Sequence, residues 1–163
     1  MSNGGSFREL SRDEIERVLE RNKVGRLAFS CHDHVDVEPI HYVYDHGWLY
    51  GRTSEGDKLA TLAHNQWVAF EVDEILDTFE WTSVVVHGSF WIMRPTGTER
   101  AEELWTKGVE LVSKIVPGAL TEADPVPFRR TLFRIAVNEA RGREATHAAG
   151  AEERRPRKKA GAA

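Results

Sequence analysis

The sequence predicts a mainly β protein with peripheral helices, in which antiparallel strands form one small closed barrel. Short segments rich in Val, Ile, Tyr and Trp follow one another, with polar or glycine-containing turns between them. One long helix with apolar residues at helical spacing comes late in the chain, from about Thr98 to Val116. Closing a sheet into a barrel removes its exposed edges, so a series of about five or six short strands favours that architecture.

Each element has its own local signal. Ser11 and Glu14 form a capping box at the start of a first helix, which apolar spacing extends to about Asn22. Asp45–Gly47 is a hairpin turn, and Gly88 indicates a bulge or bend in a long strand. The predicted strands are 24–30, 35–44, 48–50, 68–72, 81–93 and 132–137, and a short helix is predicted at 57–64. The first three strands are expected to form an antiparallel meander.

Composition limits what the protein can be. The chain of 163 residues has the length of one domain, and its net charge of −4 argues against a nucleic-acid partner. Cys31 is the single cysteine, and no stretch reaches the roughly 18 apolar residues of a membrane span. We therefore expect a cytoplasmic protein with no membrane partner. Charged and small residues dominate the end, which predicts a folded domain at 1–143 and a disordered charged tail at 144–163.

The segment Tyr50–Lys58 carries the clearest chemistry. A strand ends in small and hydroxylated residues, and a helix then begins with Lys58 near its start. Free backbone amides, the helix dipole and the cations Arg52 and Lys58 would suit a phosphate group. The residues alone also fit an ordinary strand–loop–helix connection with solvated charges, because no glycine fingerprint is present.

Four segments, in order and in spacing, resemble the flavin-binding members of the pyridoxamine-phosphate-oxidase-like superfamily. They are Val24–Ala28, Val37–Ile40, Tyr50–Lys58 and Trp81–Gly88, and Phe133–Arg143 is similar to the closing strand. The subgroup that looks most similar includes the nitroimidazole-resistance nitroreductases. The resemblance implies a split barrel, built as a six-stranded antiparallel Greek-key barrel, that is dimeric and holds FMN at the interface of the homodimer.

The resemblance also implies which residues would contact the cofactor. They are Arg52, Thr53 and Lys58 at the flavin phosphate, the backbone of Pro39 and Ile40 at the flavin ring, and Ser83 at the carbonyl edge of the ring. True pyridoxamine-phosphate oxidases carry an Arg-x-His signature near the C-terminus. The corresponding segment here, Arg141–His147, does not match it, so vitamin B6 oxidation is not expected.

The function that follows is an oxidoreductase that reduces a small-molecule electron acceptor through FMN, with no catalytic residue assigned. Two alternatives stay open: a flavin carrier or sensor without turnover, and the same fold with haem, bound through His87, or with a deazaflavin. A deazaflavin has a long acidic tail, and Arg26, Arg52 and Lys58 are the only obvious basic candidates to bind it, which favours the shorter FMN. His32 and His34 lie around a turn, but a closed structural zinc site needs four ligands, so we predict no metal site.

Overall fold

The computed structural model of the chain describes residues 4–148, which form eight strands and three helices. The elements are β1 (Gly5–Glu9), α1 (Arg12–Arg21), β2 (Val24–Cys31), β3 (His34–His41), β4 (Val43–Asp45), β5 (Trp48–Thr53), α2 (Asp57–His64), β6 (Trp67–Asp77), β7 (Glu80–Ile92), α3 (Glu99–Ser113) and β8 (Thr131–His147). The predicted helix at the start of the chain is confirmed, and its capping box between Ser11 and Glu14 is formed in both directions.

All strands belong to one antiparallel sheet of mainly β architecture, in the order β3-β2-β6-β7-β8-β5-β4, and β1 pairs with β8. The strands β5, β8, β7 and β6 lie side by side in Greek-key order. The prediction of a split barrel is confirmed. The predicted number of six strands is wrong, because residues 4–148 contain eight. Within these residues the sheet is not closed: β3 forms one edge and β4 the other.

The chain crosses from one edge of the sheet to the other at Tyr42. The sequence predicts instead that one continuous strand passes through Tyr42 as part of a three-stranded meander. The chain leaves β3 at one edge and begins β4 at the opposite edge, so the predicted strand 35–44 is two strands. The main-chain amide of Tyr42 donates to the carbonyl of Lys23 at 2.9 Å, and its buried hydroxyl donates to the carbonyl of Leu19 at 2.9 Å. These two hydrogen bonds fix the crossing against the end of α1.

The last strand is longer than the sequence predicts. β8 continues to His147 because β1 pairs with its second half, from Gly5 opposite His147 to Glu9 opposite Arg143. The predicted disordered tail at 144–163 is therefore wrong for residues 144–147, which lie on a paired strand. Residues 149–163 of that predicted tail lie outside the described part of the chain.

The bulge predicted at Gly88 is confirmed. The register between β7 and β8 shifts between His87 and Gly88. A Cβ atom at Gly88 would lie 2.1 Å from the main-chain oxygen of Ala136 on β8. Glycine is therefore required here by the close approach of two backbones, which bends β7 around the barrel.

Two apolar clusters fill the two sides of the curved sheet. The inner cluster joins α1 to the concave face and includes Leu19, Leu27 and Phe70. In the second cluster, α3 covers the outer side of β5 and β8 through Leu111 and Val112. The outer side of β2, β3 and β6 has no such cover among residues 4–148 and exposes large apolar side chains. These include Val24, Val35, Val37 and Trp67.

Candidate functional site

The corner between β5 and α2 is the site that the sequence singles out. β5 ends at Thr53, and α2 begins at Asp57 after a short turn. Gly56 is the N-cap residue, with a φ of 157°, and no side chain in the described part of the chain caps the amides of the helix. Uncapped amides at a helix N-terminus attract anions, because the amide groups and the helix dipole both present positive charge. The local structure of the predicted corner is confirmed.

Lys58 connects this corner to the edge strand β3. Its ammonium group forms an ion pair with the carboxylate of Glu38. The Lys58 side chain is 17% exposed, whereas that of Glu38 is 44% exposed. Since Pro39 and Ile40 directly follow Glu38 in β3, the ion pair places that segment beside the corner. The side chain of Ile40 is in the core, so only its backbone is free to meet a ligand.

Arg52 and Thr53 are both buried at the end of β5. The guanidinium of Arg52 forms an ion pair with Asp124, and the two side chains are 5% and 4% exposed. Asp124 also accepts from the amides of Leu120 and Val126, each at 2.8 Å. The guanidinium and these amides hold the pKa of Asp124 well below its usual range. Arg52 thus anchors the connection between α3 and β8, and its role at a phosphate stays a prediction.

Ser83 lies on the outer face of the sheet, three strands away from Pro39. Its hydroxyl donates to Glu71 at 3.3 Å, and Glu71 is 3.1 Å from the guanidinium of Arg26. Arg26 is directly opposite Pro39 in the pairing of β2 with β3. Ser83 at one end of this series of contacts and Pro39 at the other therefore lie on the same face of the sheet. Asp73 also approaches Arg26, at 3.2 Å, and the two carboxylates raise the pKa of the guanidinium.

Each basic residue that the sequence proposes for the cofactor has a carboxylate partner in the structure. Lys58 contacts Glu38, Arg52 contacts Asp124, and Arg26 contacts Glu71. Sequence reasoning missed these partners because strand pairing and the long connection before β8 bring them from distant segments. The spacing of 72 residues between Arg52 and Asp124 carries no local signal.

The helices are too short or too polar to cross a membrane: within residues 4–148, no helix qualifies as a candidate span. The fold is an open antiparallel split barrel, and the uncapped start of α2 lies beside the Lys58–Glu38 ion pair at one corner.

The chain belongs to the pyridoxamine 5'-phosphate oxidase family, whose model matches residues 11–144. The membership predicted from the four sequence segments is confirmed. The structure is similar to that of an FAD-binding protein from Mesorhizobium loti. The TM-score is 0.71 and the sequence identity 28%, over 88% of this chain and 100% of that chain.

Two further comparisons extend the likeness. A protein from Bacteroides thetaiotaomicron VPI-5482, described as a 5-nitroimidazole antibiotic resistance protein, matches 87% of this chain and 89% of its own. Its TM-score is 0.64 at 15% identity, so this likeness shows the fold alone. An uncharacterised protein from Rhizobium meliloti (strain 1021) is 30% identical over 83 residues, which are 51% of this chain and 55% of that protein. The chain thus spans about half the length of this relative.

Proposed function

We propose that this protein binds a flavin nucleotide, with the flavin phosphate at the N-terminus of α2 and against Lys58. The observation that carries the proposal is the uncapped start of α2 beside a largely buried ammonium group. Backbone amides and a lysine together are a common way to hold a phosphate. The FAD-binding protein from Mesorhizobium loti, which shares the fold over its whole length, supports a flavin as the ligand.

Within that proposal, we assign FMN as the nucleotide. FMN ends in one phosphate, whereas FAD has a second phosphate and an adenosine that need additional contacts. Arg26 and Arg52 are both engaged by carboxylates, which leaves few cations for a second phosphate. The FAD-binding relative makes FAD the competitor to be tested. Heat-released cofactor, separated by chromatography, distinguishes the two, and a Soret band in the spectrum of the protein would instead identify haem.

A second copy of the chain is proposed to cover the outer face of β2, β3 and β6. Val35 is 70% exposed and Trp67 is 62% exposed on strands of this face. Large exposed apolar patches are typical of protein interfaces. Sedimentation should therefore give a dimer, and Val37→Glu should shift it toward monomer, while Thr106→Glu on α3 should not. A monomeric wild-type protein would remove the homodimer from the proposal.

The proposed activity is reduction of a small electron acceptor, with a reduced nicotinamide as the donor. A bound flavin supplies the electron-transfer chemistry, and the protein supplies binding and orientation. Lys58 and the α2 amides would fix the phosphate end, and Ser83 would orient the ring from the outer face of β7. Oxidation of NADH or NADPH, followed with nitroaromatic and quinone acceptors, tests turnover. Tight flavin binding without turnover by any acceptor would favour the carrier or sensor instead.

Lys58→Gln tests the phosphate assignment directly. Removing a charge-assisted contact to phosphate costs roughly 1.5–3 kcal/mol, so FMN affinity should fall about tenfold or more. Lys114→Gln is the matched control, since Lys114 is exposed at the end of α3. Both variants are titrated as flavin-free protein, and flavin fluorescence reports binding. If FMN affinity is equal in Lys58→Gln and wild type, the phosphate does not bind at this corner.

A further inference from the structure

We propose that Glu38 sets the affinity of the α2 corner for phosphate, because its carboxylate occupies Lys58 until a phosphate replaces it. This inference rests on the proposed function, in which the flavin phosphate binds at that corner. Glu38 lies within the Val37–Ile40 segment that resembles the family, but the sequence assigns it no role. Glu38 is on β3, an edge strand, at the position opposite Leu27 of β2.

The exposure of the two partners makes the exchange possible. Lys58 is largely buried, at 17% exposure, so its ammonium needs an anion nearby. Glu38 keeps 44% of its side chain exposed, so its carboxylate retains access to water after it leaves Lys58. A ligand phosphate would also reach the uncapped α2 amides, which Glu38 is not seen to contact within the described residues. A phosphate would therefore have donors at this corner that the Glu38 carboxylate does not use, although the exposed Asp57 at the start of α2 opposes any anion there.

The other two paired cations do not offer such an exchange. Arg52 and Asp124 are both buried, and two backbone amides hold the Asp124 carboxylate in place. Arg26 faces two carboxylates, Glu71 and Asp73, so displacing one leaves the other. Among the cations considered for the cofactor, Lys58 is the one that is paired, within residues 4–148, with one half-exposed carboxylate.

Glu38→Gln separates competition from other effects, because glutamine keeps the size of the side chain and removes its charge. FMN should bind about two- to fivefold more tightly, the range that the strength of partly exposed ion pairs implies. Riboflavin lacks the phosphate, so its affinity should not change. In a Lys58→Gln background, the Glu38→Gln substitution should no longer tighten FMN binding, because the group under competition is gone.

The control is Asp36→Asn, two residues earlier on the same face of β3, where an exposed carboxylate has no ion pair in the described chain. It reproduces the change in net charge without touching Lys58. Should Glu38→Gln fold poorly, Glu38→Thr is the second variant, since a β-branched residue suits an edge strand. Thermal unfolding of every variant confirms that folded proteins are compared.

The proposal is supported if Glu38→Gln binds FMN more tightly than wild type, Asp36→Asn does not, and the affinity for riboflavin is unchanged. If the FMN affinity of Glu38→Gln is unchanged or weaker, the proposal is wrong. The proposed function is still supported in that case, provided that the wild-type protein binds FMN. Equal tightening by Asp36→Asn also overturns it, because net charge then explains the effect. If neither wild type nor Glu38→Gln binds FMN or riboflavin, the proposed function fails together with this inference.

Discussion

Gly88→Ala tests the bend that shapes the barrel. The added Cβ atom would lie 2.1 Å from the main-chain oxygen of Ala136 and 3.1 Å from Cγ2 of Ile135. The first distance is far shorter than a Cβ contact tolerates, and its partner is a backbone atom that no rotamer change can move. β8 pairs with β7 on one side and with β5 and β1 on the other, so it cannot shift freely.

The expected loss follows from that geometry. Overpacking of this kind costs about 1–3 kcal/mol, and the rigid partner favours the upper end. A domain of this size loses roughly 2–4 °C of melting temperature for each kcal/mol, so we expect a decrease of about 6–12 °C. Thermal unfolding followed by circular dichroism measures the decrease, and Thr82→Ala on the same strand is the control. A melting temperature within error of wild type would refute the close approach of β7 and β8.

Three further perturbations test other parts of the fold. Tyr42→Phe should cost about 1–2 kcal/mol in urea unfolding, because a buried main-chain carbonyl of α1 loses its hydrogen bond. Arg8 and the N-cap amide of Ser11 lower the pKa of Glu14 to about 2. Above about pH 4 the wild-type protein should therefore have a higher melting temperature than Glu14→Gln. This difference should vanish as the pH falls toward 2, where Glu14 becomes protonated. Asp124→Asn should lower the melting temperature by leaving Arg52 unpaired, yet leave the FMN affinity of the folded protein unchanged.

Local sequence signals predicted most of the elements. The capping box at Ser11, the turn ending in Gly47 and the bulge at Gly88 each depend on residues close in the chain, and all three are present. The prediction of one strand at Val35–Tyr44 is wrong because β propensity continues through Tyr42, whereas pairing with distant strands decides the change of sheet edge there.

The same limit applies to the ends of the chain and to the site. β1 and residues 144–147 of β8 have polar compositions that indicate no strand, and their mutual pairing is what orders them. The α2 corner is visible in the sequence because its parts are contiguous. The roles of Glu38 and Asp124 are not visible in the sequence, since tertiary packing alone brings these carboxylates to Lys58 and Arg52.

The relative affinity of the wild-type protein for FMN and riboflavin tests the central claim most directly, since the two ligands differ in the phosphate alone. The protein is freed of any flavin, titrated with each ligand, and then desalted. The account predicts that FMN binds at least about tenfold more tightly, because the phosphate contacts a lysine and backbone amides, and that its two visible absorption bands survive desalting. Equal affinities, or a colourless protein after desalting, would contradict a phosphate site at the start of α2.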